Sequence, residues 1–309
     1  MSEHLKKITG SKSEMLLYKI TDKPVKGIAV GAGVTALIQS SSASCAMVVS
    51  LVESDLLSLE RAISIILGSI LGTSVTAWLI AYSSISFSSA VSIFFSSTFL
   101  SAITAIIGIF FKLFMKKQRI KRIGEILLGF ALLMLGISTI ATAVEPLKES
   151  ELFIKSITGF ENPLLLILIG VLFAMLLQSA SAAVGILQTL CITGIFSLNS
   201  TFALIIGISI GAAFPVIIAS IGKRANAKRA ALSYLLADVI GAVVLGVVFY
   251  SVLPFISAEF KQIEVTPTFV ALLNTVYRFA VIVILYPFMS TLKKLCCKLI
   301  KDKRYAHHF

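Results

Sequence analysis

The chain has 309 residues, of which 57% are hydrophobic and 14% charged, whereas soluble domains carry about 25% charged residues. A soluble globular enzyme is thereby excluded. Lysine and arginine outnumber aspartate and glutamate by 27 to 15, but the basic residues cluster between apolar runs, which argues for membrane topology and against nucleic-acid binding.

Residues 1–26 are polar and hold six lysines (Lys6, Lys7, Lys12, Lys19, Lys23, Lys26) without the apolar core of a cleavable signal. A retained, cytoplasmic N-terminal segment is expected. Eight apolar stretches follow, at about 27–52, 60–82, 86–111, 123–144, 163–193, 200–221, 230–256 and 268–291, each near or above the ~20 residues that a spanning helix needs. The runs lack the alternation of barrel strands, and a bilayer leaves open backbone groups unpaired, so the predicted fold class is an all-α polytopic membrane protein. The Ser-rich stretch 83–89 is read as close helix packing by small residues. Cys45, Cys191, Cys296 and Cys297 have neither metal-ligand nor disulfide-framework spacing. Histidine occurs only as His4, His307 and His308, so no Ser-His catalyst or histidine metal site is available inside the apolar runs. Neither an enzymatic activity nor a cofactor is predicted.

Basic clusters set the orientation. One lies at 112–122 (Lys112, Lys116, Lys117, Arg119, Lys121, Arg122), one at 223–229 (Lys223, Arg224, Lys228, Arg229), and one in the tail at 292–309. With the N-terminus, all are predicted cytoplasmic; the connections at 145–162 and 257–267 are predicted outside. Three apolar segments then separate two cytoplasmic points, where an even number of spans is required. Two segments separate the outside linker from the cytoplasmic 223–229 cluster, where an odd number is required. Both conflicts disappear if 27–52 and 163–193 are helical hairpins that enter and leave on one side. The halves 27–144 and 163–291 then have opposite orientation.

The same two hairpins carry matching sequence. Gly31 to Ala43, with Gln39-Ser40-Ser41-Ser42 at its centre, aligns with Gly170 to Ala182, with Gln178-Ser179-Ala180-Ser181. The offset is 139 residues, and it also pairs Ser58-Leu59 with Ser197-Leu198 and Gly68/Gly72 with Gly207/Gly211. Residues 31–76 and 170–215 share 12 identities over 46 positions, against about four expected by chance, which marks an internal duplication. Inverted repeats with broken helices are a recurrent transporter build, with sites near the midplane. Half-helix N-termini attract anions, while freed carbonyls and Ser, Thr or Gln oxygens suit sodium.

At these residues the chain resembles the type II sodium/phosphate cotransporter family, whose mark is a duplicated Gln-Ser-Ser-Ser-Ala hairpin followed by a Gly-x-Asn-Ile-Gly-Thr-Thr broken helix. The resemblance covers about 27–82 and 163–221. It implies inorganic phosphate as substrate and sodium as coupling ion. It maps Gln39, Ser40, Ser41 and Ser42, with Gln178, Ser179 and Ser181, onto the tips that hold both. Thr73 and Ser74 map to the hydroxyls of the first broken helix. The family Asn falls at Ile70 and Ser209, the second Thr-Thr becomes Ala212-Ala213, and one tip serine becomes Ala180. Those departures leave sodium number and anion identity open.

Glu125, Asp238 and Arg278 lie within apolar runs, where a charge is costly unless paired or facing a polar cavity. Glu125 is expected to pair with Arg122, one turn away. Asp238 and Arg278 either pair with each other across two scaffold helices, or serve the site, Arg278 with the anion and Asp238 with a cation or proton. Asn274, Thr275 and Tyr277 neighbour Arg278. The reading that results is a sodium-coupled phosphate symporter working by alternating access. The substrate set is Gln39, Ser40, Ser41, Ser42, Gln178, Ser179, Ser181 and Arg278. The sodium set is Gln39, Ser42, Thr73, Ser74, Gln178, Ser181, Ser209 and Asp238. The alternatives are a scaffold or receptor, a passive anion channel, or a carrier of another oxyanion. The expected setting is the lipid bilayer of a bacterial inner membrane, with a homodimer compatible.

Overall fold

A computed structural model describes residues 19–83, 97–144, 162–191, 194, 196–252, 255 and 265–301. Among them there is no strand, and the helices in chain order are α1 Pro24–Ile38, α2 Ser41–Glu53, α3 Leu59–Gly72, α4 Ser74–Ser83, α5 Ser97–Phe114, α6 Gln118–Val144, α7 Pro163–Leu177, α8 Ala180–Cys191, α9 Leu198–Gly211, α10 Phe214–Ala219, α11 Ala225–Val252, α12 Pro267–Leu285 and α13 Met289–Leu299. Most of the Ser-rich stretch lies outside the described residues.

Local chemistry starts these helices where the sequence changes character. Proline opens α1, α7 and α12, a position where its missing N–H costs nothing. Asn162, Ser197 and Thr266 cap α7, α9 and α12 by accepting from Leu164, Ser200 and Phe269 N–H. The helix after Pro267 outruns its expected end at 291. A 3-10 turn at Tyr286–Phe288 leads directly into α13, so the first part of the basic tail is helical. Likewise α11 begins at Ala225, inside the basic cluster at 223–229. There Arg229 is free to bond the Ile300 carbonyl at 3.0 Å and Asn226 at 2.7 Å.

The apolar segments 60–82 and 200–221 are broken helices, interrupted at Thr73 and at Ala212-Ala213. The segments 27–52 and 163–193 each form two helices joined by a Gln-Ser pair. That each pair is a hairpin follows from its packing on the broken helix. Gly27 faces Ser64, Gly68 faces the Ile28 carbonyl and Gly72 the Ala32 carbonyl, so α1 and α3 run parallel. The intervening α2 must therefore return toward the end from which α1 set out. Accordingly Thr21, Asp22 and Pro24 border one pocket with Ser58, Glu60 and Arg61. Gly207 facing Ile167 and Gly211 facing Val171 make the same argument for α7, α8 and α9.

Ion pairs gather one end of the molecule. Arg224 meets Asp55 at 2.7 Å and Glu53 through its backbone N–H at 2.7 Å; Lys223 reaches Ser50 at 3.0 Å, and Lys293 pairs with Glu60 at 2.9 Å. Here α3 begins and the α9–α10 helix finishes. Asn199, at the start of α9, instead accepts from Tyr250, near the far end of α11, at 3.1 Å.

Four helices among the described residues are long and apolar enough to cross a membrane: Leu59–Tyr82, Leu198–Ala219, Ala225–Val252 and Pro267–Leu299. Exposed helix faces carry apolar stripes. Leu164, Leu168, Leu172 and Leu176 form an exposed stripe on α7, as do Leu272, Val276, Phe279 and Val283 on α12, a surface suited to lipid tails. Glu125 does not pair with Arg122. Its carboxylate sits 3.7 Å from Lys112, across the turn between α5 and α6, with both side chains half exposed; such a contact contributes at most about 1 kcal/mol.

A Cβ placed on Gly68 would stand 1.9 Å from the Ile28 carbonyl, whereas one on Gly33 meets nothing within 4 Å. Gly68→Ala is therefore expected to destabilise by about 1–3 kcal/mol, and Gly33→Ala to be neutral or to stabilise by up to about 1 kcal/mol. Cys45, Cys191 and Cys296 are buried free thiols, so a thiol-reactive dye in a melting experiment reads both outcomes.

Candidate functional site

The chain reverses at both tips through a glutamine in the left-handed region, Gln39 at φ 60° and Gln178 at φ 52°. For a side chain other than glycine this conformation costs about 1–2 kcal/mol, and retained strain of this kind clusters at functional positions. The next residue restarts the helix. Ser40 caps α2 by accepting from Ala43 N–H, and Ser179 caps α8 by accepting from Ala182 N–H, each at 3.2 Å.

The first tip is tied to its surroundings on three sides. Gln39 donates to Ala36 O and accepts from Thr76, on α4 beyond the break, at 2.5 Å. Ser41 is buried and accepts from the Tyr234 hydroxyl of α11 at 3.3 Å. Ser42 reaches the Ala212 carbonyl at 3.5 Å, which belongs to the break of the other broken helix. At the second tip Gln178 is exposed, and the half-buried Ser179 and Ser181 hydroxyls lie 3.2 Å apart. The arms reach across as well: α2 packs on α10, and α8 on α4. The structure thus brings the first tip against the second break, and places the second arm of each hairpin on the broken helix of the other half.

Thr73 and Ser74 are buried at the first break. Thr73 donates back to Ser69 O at 3.2 Å, and the Ser74 hydroxyl has no hydrogen-bond partner. Ser209, on α9 at the position matching Ile70, is buried with a partnerless hydroxyl.

Asp238 and Arg278 are fully buried, but no hydrogen bond or ion pair joins them, so the direct pair read as one option in the sequence is not formed. Arg278 bonds Asn274 Oδ1 through Nε at 3.0 Å and the Ile70 carbonyl through Nη1 at 3.2 Å, leaving Nη2 without a partner. Its guanidinium is engaged at the end of α3, where the break deprives carbonyls of their usual donors. Both Asp238 oxygens lack partners, while Arg278, Tyr234, Tyr277 and Cys45 lie within electrostatic reach. Neither residue bonds a hairpin tip directly; Tyr234 stands between, bonded to Ser41 and electrostatically coupled to Asp238.

Sequence reasoning passed over Thr76, Tyr234 and Gln188. The last is fully buried on α8 and donates to Ala77 O and Pro267 O, each at 2.9 Å. An amide inside an apolar run was the available signal for Gln188. Nothing in their own neighbourhoods marked Thr76 or Tyr234, whose partners are 37 and 193 residues away.

Together these features define an integral, all-helical membrane protein with two strained Gln-Ser reversals set against two helix breaks. Residues 1–142 match the Na+/Pi-cotransporter family model. YjbB of Escherichia coli K12, provisionally named an inorganic phosphate export protein, is 29% identical over 304 residues, covering 96% of this chain and 52% of its own length. YqeW of Bacillus subtilis, which has no functional name, is 26% identical over 257 residues, 82% of this chain and 76% of its own. The sodium-dependent phosphate transport protein 2A of Ovis aries is 53% identical over 62 residues, 20% of this chain and 10% of its own. The chain thus spans about half the length of YjbB. No solved structure matches it.

Gln39→Gly removes the backbone strain and the bond to Thr76 together, so its melting temperature is expected to stay at or above wild type. Thr76→Val is expected to cost about 1 kcal/mol in the wild-type background and nothing further beside Gln39→Gly. The double-mutant cycle, read by thermal melting in detergent, checks the pairing.

Proposed function

We propose that this chain is a secondary active transporter that carries inorganic phosphate together with sodium by alternating access. The observation that carries the reading is the meeting of the two halves: a Gln-Ser reversal in each, 139 residues apart, with Ser42 of the first against the Ala212 carbonyl at the break of the second. Anion and cation then share one locale. Partial positive charge and N–H donors come from the starts of α2 and α8, and freed carbonyls with Ser and Thr hydroxyls come from the breaks. The anion falls to Gln39, Ser40, Ser41, Ser42, Gln178, Ser179 and Ser181. Sodium falls to hydroxyls among Ser42, Thr73, Ser74, Ser181 and Ser209.

Residues 27–144 and 163–291 act as two halves of inverted topology, flanked by cytoplasmic 1–26, an outside linker at 145–162 and a cytoplasmic tail. Support comes from the ion-paired end, where α3 starts and α10 finishes, and from the basic clusters found there. The setting is a bacterial inner membrane. The family match and the phosphate-related names of YjbB and the sheep transporter support the substrate. Flux direction follows the combined gradients, so export and uptake are both within the mechanism. A channel or non-transporting scaffold draws on the side chains missing at Ile70 and Ala212-Ala213, which remove cation oxygens from both breaks.

Purified protein in liposomes with labelled phosphate separates these readings. Accumulation that depends on an imposed sodium gradient is expected. Equilibration without accumulation would indicate a channel, and absence of flux a scaffold. Ser42→Ala and Ser181→Ala are each expected to lower the initial rate about tenfold, equivalent to about 1.4 kcal/mol, while leaving the melting temperature within a few degrees.

A further inference from the structure

The two helix breaks are not equivalent. Carbonyls freed at the end of a half-helix carry partial negative charge and are ligands for a hard monovalent cation. At the first break a cation is already present: Arg278 Nη1 stands 3.2 Å from the Ile70 carbonyl, with the side chain fully buried and anchored through Nε to Asn274. At the matching position of the second break the Ser209 hydroxyl is buried without a partner, and among the described residues no charged side chain bonds to that turn.

A buried guanidinium needs a counter-charge, because an isolated ion in an apolar interior is several kcal/mol unfavourable. Asp238, fully buried on α11, is electrostatically coupled to Arg278, although no ion pair joins the two and both carboxylate oxygens lack hydrogen-bond partners. A guanidinium stays charged at every physiological pH and cannot leave its tether.

We infer that Arg278 is a tethered cation, its guanidinium replacing an exchangeable alkali ion at the first helix break with Asp238 as counter-charge. This rests on the transport reading and narrows it. The first half then contributes no coupling ion at its break, and the ion that drives transport binds at the tips and the second break. Asp238 is assigned to Arg278 instead of to sodium. Arg278 is a positioning residue: it holds the end of α3 in the geometry that sets Thr76 against Gln39, and it does not touch phosphate.

The test is chemical rescue. Arg278→Ala is expected to lose most sodium-driven phosphate flux in liposomes and to regain it several-fold with guanidinium at sub-denaturing concentration, or with added sodium. In detergent its melting temperature is expected to rise with either ion by clearly more than the wild type's does. If neither ion raises flux or melting temperature beyond the wild-type response, the inference is overturned. Arg278→Ala/Asp238→Asn removes the counter-charge and is expected to lose the rescue; a double variant still rescued overturns the role given to Asp238. If Arg278→Ala is not recovered folded, Arg278→Gln, which keeps a donor toward the Ile70 carbonyl, is held to the same outcomes. Wild-type liposomes without flux would refute the transport reading, and the melting arm would still decide the tethered cation on its own.

Discussion

A helix that ends inside an apolar medium leaves carbonyls or N–H groups with no water to bond them, and this structure ends helices there repeatedly. Much of its polar chemistry answers that constraint. Ser40 and Ser179 take up N–H groups where the hairpins restart. Arg278 takes the Ile70 carbonyl, Ser42 approaches the Ala212 carbonyl, and Gln188 bridges the carbonyls of Ala77 and Pro267. The demand for these side chains at helix ends is why polar residues of this very apolar chain gather where helices stop, and the proposed recognition would draw on the same few atoms that stabilise the breaks.

Constant offset made the fold legible. Hairpins, breaks and their order could be read because the same glycines and the same Gln-Ser pair recur 139 residues apart, and because basic clusters demanded an odd and an even number of crossings. Helix ends were less legible. Positive charge at 223–229 and after 291 looked like loop, but Lys and Arg are good helix formers, and α11 and α13 extend into both clusters.

The candidate site was half legible. The tip residues announced themselves by repetition, and Ser74 and Ser209 by the family pattern. The contacts that position them did not, since Gln39 to Thr76, Ser41 to Tyr234 and Arg278 to Ile70 join elements far apart in sequence. Hydropathy identified Glu125, Asp238 and Arg278 as misplaced charges but could not choose their partners. Proximity in sequence favoured Arg122 for Glu125, whereas the antiparallel turn between α5 and α6 delivers Lys112. Opposite sign favoured a direct bond between Asp238 and Arg278, whereas the unsatisfied carbonyl end of α3 competes for the guanidinium.

The glycine contacts carry a mechanical consequence. Where α1 meets α3, at Gly31 and Gly68, and where α7 meets α9, at Gly170 and Gly207, backbone lies directly on backbone, a contact that close packing makes stiff. By contrast, α8 meets α4 through side chains, Ile80 against Gly185 and Gln188 against the Ala77 carbonyl. Each first arm and its broken helix are thus welded, and any sliding between the two halves is directed to the seam where Ser42 faces Ala212. Under the proposed alternating access, the joint that moves would also be a wall of the proposed pocket, so each shift would reshape it.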